Sequence, residues 1–425
     1  MPKVLIFHTL EWANAARMAL AFQEAGWAVS ALCRRGHQLR AIRALDQVYT
    51  YKSFARLRSV LLTLIDCDPY LIIPCDDRAV ILLHRIHSRA DPATDAGSRI
   101  RSLIERSFGR PESYGIVSTR SSLAAVAALA NARMPYTEVI PDLKSLRLWF
   151  ARRRGVAVVK TDHSWGGWGV RIARTAEQAD TAFRSMTGAR RMAFAVKRLV
   201  WDQDPELAFQ LMRGRWPIIT AQDFIPGTPA NCSVACMAGE VLAGVAVKAV
   251  ITDGPTGSAT VVRVIDNPEM MQMTGAIVRH LGISGIVGFD FILQEGSEQA
   301  FLLELNPRAT QISHLALGGT HDLVAALCTV LPEGPPLRSA AAAPPITAGQ
   351  LIAFFPQELR RDPAGRFLTD VYHDVPWQEP ALVQAFLAKD GPIRRLIAWA
   401  RSIRTPILLA QRKAQAELRA PDVGP

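Results

Sequence analysis

Over roughly the first 110 residues, short apolar runs alternate with stretches of helical period. VLIF reads as a buried strand; from Trp12 to Ala25 the apolar positions recur at helical spacing and stop at Gly26. WAVSALC and YLIIPC are further strands, the second ending at Asp76 and Asp77. Strands alternating with helices predict a parallel sheet with Rossmann-like winding. From 119 to 134, TRSSLAAVAALANARM predicts an Ala-rich helix, followed by Pro135, a short strand YTEVI and a helix from Leu143 to Arg153. The pattern then changes. VAVVK and VRIA are strands joined by a glycine loop, IITAQDFIPG is a strand ending in a turn, and residues 231–250 read as a hairpin around Ala238 and Gly239. A mobile glycine loop, TDGPTGSATVV, and the helix PEMMQMTGAIVRHLG follow.

The pattern is sharpest from Gly288 to Arg308, GFDFILQEGSEQAFLLELNPR. Two apolar runs flank a polar turn, which predicts a β-hairpin. Residues i and i+2 of a strand share a face, so Glu304 and Asn306 project together and the hairpin can bring Asp290 opposite them. Two carboxylates and an amide oxygen are hard ligands suited to Mg²⁺ (Mn²⁺ is the obvious substitute), and Arg308 adds a fixed positive charge. An amphipathic hairpin with solvated acids fits the same pattern. Against it, Asp290 stands between two Phe residues and Glu304 follows two leucines. A carboxylate so close to an apolar run needs a metal or an arginine as partner.

Composition bounds the rest. The chain has 425 residues, 49% hydrophobic and 20% charged, which is globular and long enough for two to three domains. No apolar run approaches a membrane span. The opening run meets Glu11 quickly and reads as a first strand rather than a leader. Six scattered cysteines give no disulfide framework, and Cys232 and Cys236 lack companions at zinc spacing, so a reduced, cytoplasmic setting is expected. The net charge of +11 raises nucleic acid or an anionic membrane as partners. The excess is diffuse and has no aromatic interleaving, so nucleic acid is not expected; a cationic rim around a nucleotide site, or a basic proteome, accounts for it equally.

Candidate chemistry is spread along the chain. No GxGxxG follows the first strand. Asp76 and Asp77 sit at a strand's carboxyl end, where they either contact substrate or cap the next helix. Lys160 ends VAVVK and is followed by TDHSWGGWGV, whose Gly166, Gly167 and Gly169 let backbone N–H groups approach phosphates, although glycine-rich hairpin turns are common without that role. Near the end, PEGPPLRSAAAAPP reads as a linker or strap, and GQLIAFF as a strand. Ile393, Leu396, Ile397 and Ala400 then form one face of a basic amphipathic helix, which could lie on a membrane surface, the protein body or a second subunit of a homo-oligomer.

In this order the pieces resemble the ATP-grasp superfamily over residues 1 to about 330. STR…RMP resembles the segment carrying the first ATP lysine of biotin carboxylase-like members, VVKTDHSWGGWGV the second lysine and glycine loop, AQDFIPG the adenine hinge, and GFDFIL…FLLELNPR the metal hairpin. The resemblance implies an α/β chain: a Rossmann-like domain at 1–115, an ATP-grasp domain with antiparallel sheets at 116–335 (small lobe about 150–220, large lobe about 221–335), and a linker plus extension at 336–425. It implies that Lys160 binds the α- and β-phosphates of ATP and that Gly166, Gly167 and Gly169 close over them. Gln222, Asp223, Phe224 and Ile225 would line adenine, Asn231 the ribose, Asp290, Glu304 and Asn306 would hold Mg²⁺, and Arg308 would face the transferring phosphoryl group.

Two positions depart from the family pattern: the first lysine is Arg120 and the hinge acid is Gln222. The acid that follows NPR in biotin carboxylase is missing from NPRATQISH, which argues against bicarbonate chemistry. The resemblance therefore implies an ATP-dependent carboxylate–amine ligase acting through an acyl phosphate on small-molecule substrates. A phosphotransferase or carboxylase, or a non-catalytic ATP-binding protein, are the alternatives. His8, Thr9, Asp76, Asp77, Lys248 and Arg263 are candidates to line the substrate pocket, with Lys248 and Arg263 equally readable as exposed strand charges.

Overall fold

The structure is a computed structural model describing residues 2–153, 155–162, 169–187, 218–254, 257–318, 322–332 and 345–388. Gly166, Gly167 and the basic amphipathic helix lie outside the described residues.

The first strands β1 (Lys3–Phe7), β2 (Ala28–Cys33), β3 (Val48–Thr50) and β4 (Leu71–Pro74) form a parallel sheet in the order β3-β2-β1-β4. Helices cover both faces, which is why β1 and β4 read as continuous apolar runs. A second, antiparallel sheet orders β5 (Thr137–Val139), β8 (Ile219–Asp223), β6 (Ala157–Thr161) and β7 (Val170–Ala173). The helices Leu143–Arg153 and Ala176–Thr187 pack together and close its core around Trp149 and Phe183.

The largest sheet holds β9 (Gly227–Met237), β10 (Glu240–Thr252), β11 (Ala259–Ile265), β12 (Gly285–Gln294), β13 (Ala300–Asn306), β14 (Leu351–Ala353) and β15 (Tyr372–His373), in the order β13-β12-β9-β10-β11-β14-β15. Away from its bulges its strands alternate. Cys232, Val234, Cys236, Phe289 and Phe291 face the helix Pro268–Leu281. Ala235, Val245, Val247 and Ile286 face the other way and join a core shared with the first domain. All six cysteines are buried and free.

The segment after 345 enters that shared core through Ile346, Ile352, Phe354, Phe355, Leu382, Val383 and Phe386. Its helix Pro380–Leu387 packs on the short helix Gln38–Ala41. Asp374 is the polar anchor. It accepts from the Phe355 N–H at 2.6 Å, pairs with Arg17 at 3.3 Å, and lies 3.3 Å from His314. Arg17 and Asp374 are almost wholly buried, and removing one partner strands the other. Asp374→Ala is expected to lower the unfolding free energy by about 3–5 kcal/mol in a denaturant titration, as for other broken buried pairs.

Candidate functional site

The predicted hairpin forms as β12 and β13, but not by simple alternation. Ala300 and Leu302 point into the core beneath the helix Pro268–Leu281. Strict alternation would send Glu304 and Asn306 into the same apolar layer. A register shift intervenes: Phe291 opposes Leu302, while Asp290 opposes Glu304, so Leu303 is extra. This β-bulge flips the end of β13, and Leu305 takes the core face instead. Glu304 and Asn306 emerge on the opposite face beside Asp290.

There Asp290 lies in register with Glu304 on one side and Asn231 on the other. The Asn231 amide donates to Asp290 Oδ1 at 2.6 Å, and the Asn306 amide to Oδ2 at 2.9 Å. Gly288 is required one pair along, because a Cβ there would come within 2.2 Å of Thr310 Cγ2, where the loop after the hairpin crosses the strand. That loop reaches the first domain: the Ala309 N–H donates to the Pro74 carbonyl at 3.0 Å, and the Asn14 amide bridges the Cys75 and Ala309 carbonyls. Arg308 is thereby fixed at the carboxyl end of β4. Its Nε donates to Asp77 Oδ2 at 2.9 Å, its Nη2 to Asn306 Oδ1 at 3.0 Å, and its guanidinium lies 5.0 Å over Trp12. Burial opposes its charge, but Asp77, Asp290 and Glu304 together raise its pKa.

The small antiparallel sheet contributes one facing cation. Lys160 and Gln222 lie on one face of β6 and β8, and Lys160 Nζ donates to Gln222 Oε1 at 2.6 Å. Burial lowers the Lys160 pKa to about 8, against the pull of Glu304 and Asp290. Arg120 opens the helix Arg120–Leu129 and bridges the two halves: Nε donates to Glu304 Oε1 at 2.7 Å and Nη1 to the Thr161 carbonyl at 3.2 Å. Burial raises the Glu304 pKa; Asp290 and Asp77 push it further while Arg120 opposes.

These donors suit a hard divalent cation. Two carboxylates directly opposed across a ladder repel each other, and a cation held between them removes the repulsion. Among the described residues no three His, Cys, Asp or Glu side chains cluster for a metal, so the set is two acids and an amide.

Residues 130–311 match the family model of the ATP-grasp domain. The chain carries an ATP-grasp domain. No curated protein matches it in sequence. Its fold is similar to biotin carboxylase from Campylobacter jejuni, solved as a beta-gamma-ATP complex, at 12% identity, covering 82% of this chain and 74% of that one, TM-score 0.56. It is similar to N5-carboxyaminoimidazole synthetase from Staphylococcus aureus, solved with ADP, at 11% identity over 80% and 79%, TM-score 0.53. It is also similar to phosphoribosylglycinamide synthetase from Anaerococcus prevotii, at 13% identity over 76% and 74%, TM-score 0.50. At these identities the likeness is one of fold.

Within the ATP-grasp domain, other expected residues fall as follows. Asp223 pairs with Arg153 and gives its N–H to the Tyr136 carbonyl, and Phe224 and Ile225 lie in the short link from β8 to β9. Gly169 immediately precedes β7, and its carbonyl accepts from the Thr161 N–H at 3.0 Å. Asn231, expected at the ribose, donates to Asp290 Oδ1.

The pocket candidates divide. His8, Thr9 and Asp76 are fully buried, and Asp76 caps the helix Asp77–Arg89 by accepting from the Ala79 N–H, so these three do not line an open site. Lys248 opposes Ala230 and Arg263, which puts both cations on the face of the large sheet away from Asp290. Asp77 remains at the site, as the partner of Arg308. Sequence reading gave no role to Trp12, Thr310 or Ser313. The Ser313 hydroxyl meets Ser233 at 2.7 Å and pins the loop that carries Arg308.

Proposed function

We propose that the chain is an ATP-dependent ligase that joins a carboxylate to an amine through an acyl phosphate. The observation that carries this is the convergence of Arg120, Lys160 and Arg308 on the opposed pair Asp290 and Glu304. The difficulty in this chemistry is bringing a carboxylate anion to a triphosphate. Lys160, from the small lobe, and Arg120, from the helix packed on the large sheet, would neutralise phosphate charge. Arg308, held by Asp77, Asn306 and Trp12, would orient the acid's carboxylate, a group that a guanidinium fork matches. Asp290, Glu304 and Asn306 would hold Mg²⁺, which when bound supplies screening of the phosphates. No enzyme nucleophile is needed.

The test is a screen of acids crossed with amines for ADP release, followed by hydroxylamine trapping. A hydroxamate from one acid without added amine is the expected result. ADP formation with a stable phosphorylated product would replace the ligase with a kinase, and ATP binding without ADP across the panel would leave only a nucleotide-binding role.

A further inference from the structure

Lys160 is held by a chain of hydrogen bonds that crosses the small antiparallel sheet and can run in one direction only. An ammonium has donors and no acceptor, so the Gln222 amide must turn its carbonyl to Lys160, and Nζ donates to Oε1 at 2.6 Å. The amino end of Gln222 is thereby turned the other way and donates to Thr137 Oγ1 at 2.9 Å. The Thr137 hydroxyl accepts this bond and gives its own proton to the Pro135 carbonyl at 2.9 Å. There the chain ends, on a group that can only accept. Strand register builds it. Thr137 on β5 opposes Gln222 on β8, and Gln222 opposes Val158 on β6, two residues before Lys160 and on the same face.

Direction matters because residue 222 is an amide. A carboxylate would offer Lys160 an acceptor whichever way it lay, whereas an amide turned over sets N–H against the ammonium. We infer that Thr137 is a positioning residue for nucleotide binding, acting through the Gln222 amide to hold the Lys160 ammonium where it would meet phosphate. This rests on the ATP role proposed for Lys160. Gln222 is buried, so without the Thr137 hydroxyl its amino end loses an acceptor that water does not replace. The amide then leaves the orientation that puts its carbonyl on Lys160.

The experiment measures binding of a non-hydrolysable ATP analogue to the full chain by isothermal titration. Thr137→Val removes the hydroxyl and keeps the shape of the side chain. It is expected to weaken binding by about tenfold, the worth of one hydrogen bond, and Thr137→Ser is expected to restore it. In a Gln222→Met background, where the amide is gone, Thr137→Val should cost nothing further. A β5 strand that had merely lost stability would add its cost in both backgrounds. Unchanged affinity in Thr137→Val, no rescue by Thr137→Ser, or an equal further loss in the Gln222→Met background overturns the inference while leaving Lys160 at the phosphates. If the unaltered chain binds no analogue, the ATP role of Lys160 fails, and NMR of isotopically labelled lysine side chains decides, with the Lys160 signal identified by its loss in Lys160→Met. A signal that moves in Thr137→Val and returns in Thr137→Ser supports the relay without the phosphate; a signal that stays in place overturns both.

Discussion

Glu304→Ala should reduce ATP turnover by at least about 100-fold, because even groups one shell away from a metal typically cost 10–100-fold. Two losses act together. One of two opposed carboxylates disappears, leaving Asp290 and the Asn306 amide as the remaining proposed metal donors. Arg120 also loses the carboxylate on which its Nε and Nη2 converge. Glu304→Gln separates these effects: it keeps a hydrogen-bond acceptor for Arg120 but not the charge. If charge on a metal is what matters, Glu304→Gln falls as far as Glu304→Ala, and Mn²⁺ binding followed by electron paramagnetic resonance weakens in both. An active Glu304→Ala enzyme would refute the assignment of this hairpin. Relief of repulsion with Asp290 also works in favour of folding in these variants, so activity should be lost with little loss of thermal stability.

The hairpin shows how far the sequence could be read. The spacing of Glu304 and Asn306 placed them on one face, and that holds. The face itself was legible only by way of their chemistry, since alternation from Ala300 and Leu302 points the other way. The Leu302–Leu303 doublet is the one local sign of the bulge, and an apolar doublet equally fits an ordinary buried strand end. Asp76 and Asp77 show the same limit. Both stand at the carboxyl end of a parallel strand, where ligands bind. One caps a helix beneath the surface and the other reaches Arg308, and adjacent identical residues give no pattern by which to choose. Lys248 and Arg263 were left between pocket cations and exposed strand charges for a simpler reason: which face a strand charge takes depends on the partner strands' register, which pairs them with each other and away from Asn231.

The segment after 345 was the least legible part. Its short apolar clusters carry no strong period; GQLIAFF reads as a strand, but only pairing with β11 sets its bounds at Leu351–Ala353. Its contribution comes from long-range packing of Phe354, Phe355 and Phe386 and from Asp374, which ties His314 in the loop after the hairpin to Arg17 in the first domain. The position of Arg308 therefore depends on three stretches far apart in sequence: the end of β4, the hairpin, and this closing segment.

Lys160→Met should raise the KM for ATP by about 10–100-fold, the worth of a charge-assisted hydrogen bond, and its pH dependence gives a second, independent signature. Burial holds the Lys160 pKa near 8, so the unaltered protein loses this charge as pH rises above 8. A triphosphate binds the ammonium better than the amine, so binding above pH 8 must be accompanied by proton uptake. ATP affinity should then fall by up to about tenfold per pH unit between 8 and 9.5, and be flatter in Lys160→Met. Folding responds with the opposite sign. The lysine's pKa is lower folded than in its ordinary state at 10.5, so between about 8 and 10.5 the unfolded chain binds the proton that the folded chain lacks. Lys160 therefore makes stability rise with pH across that window, a contribution that Lys160→Met removes. Isothermal titration of a non-hydrolysable ATP analogue from pH 7 to 9.5, with urea titrations at the same pH values, measures both slopes. Flat ATP affinity across pH 8 in the unaltered protein would mean that Lys160 is not the residue that meets the phosphates.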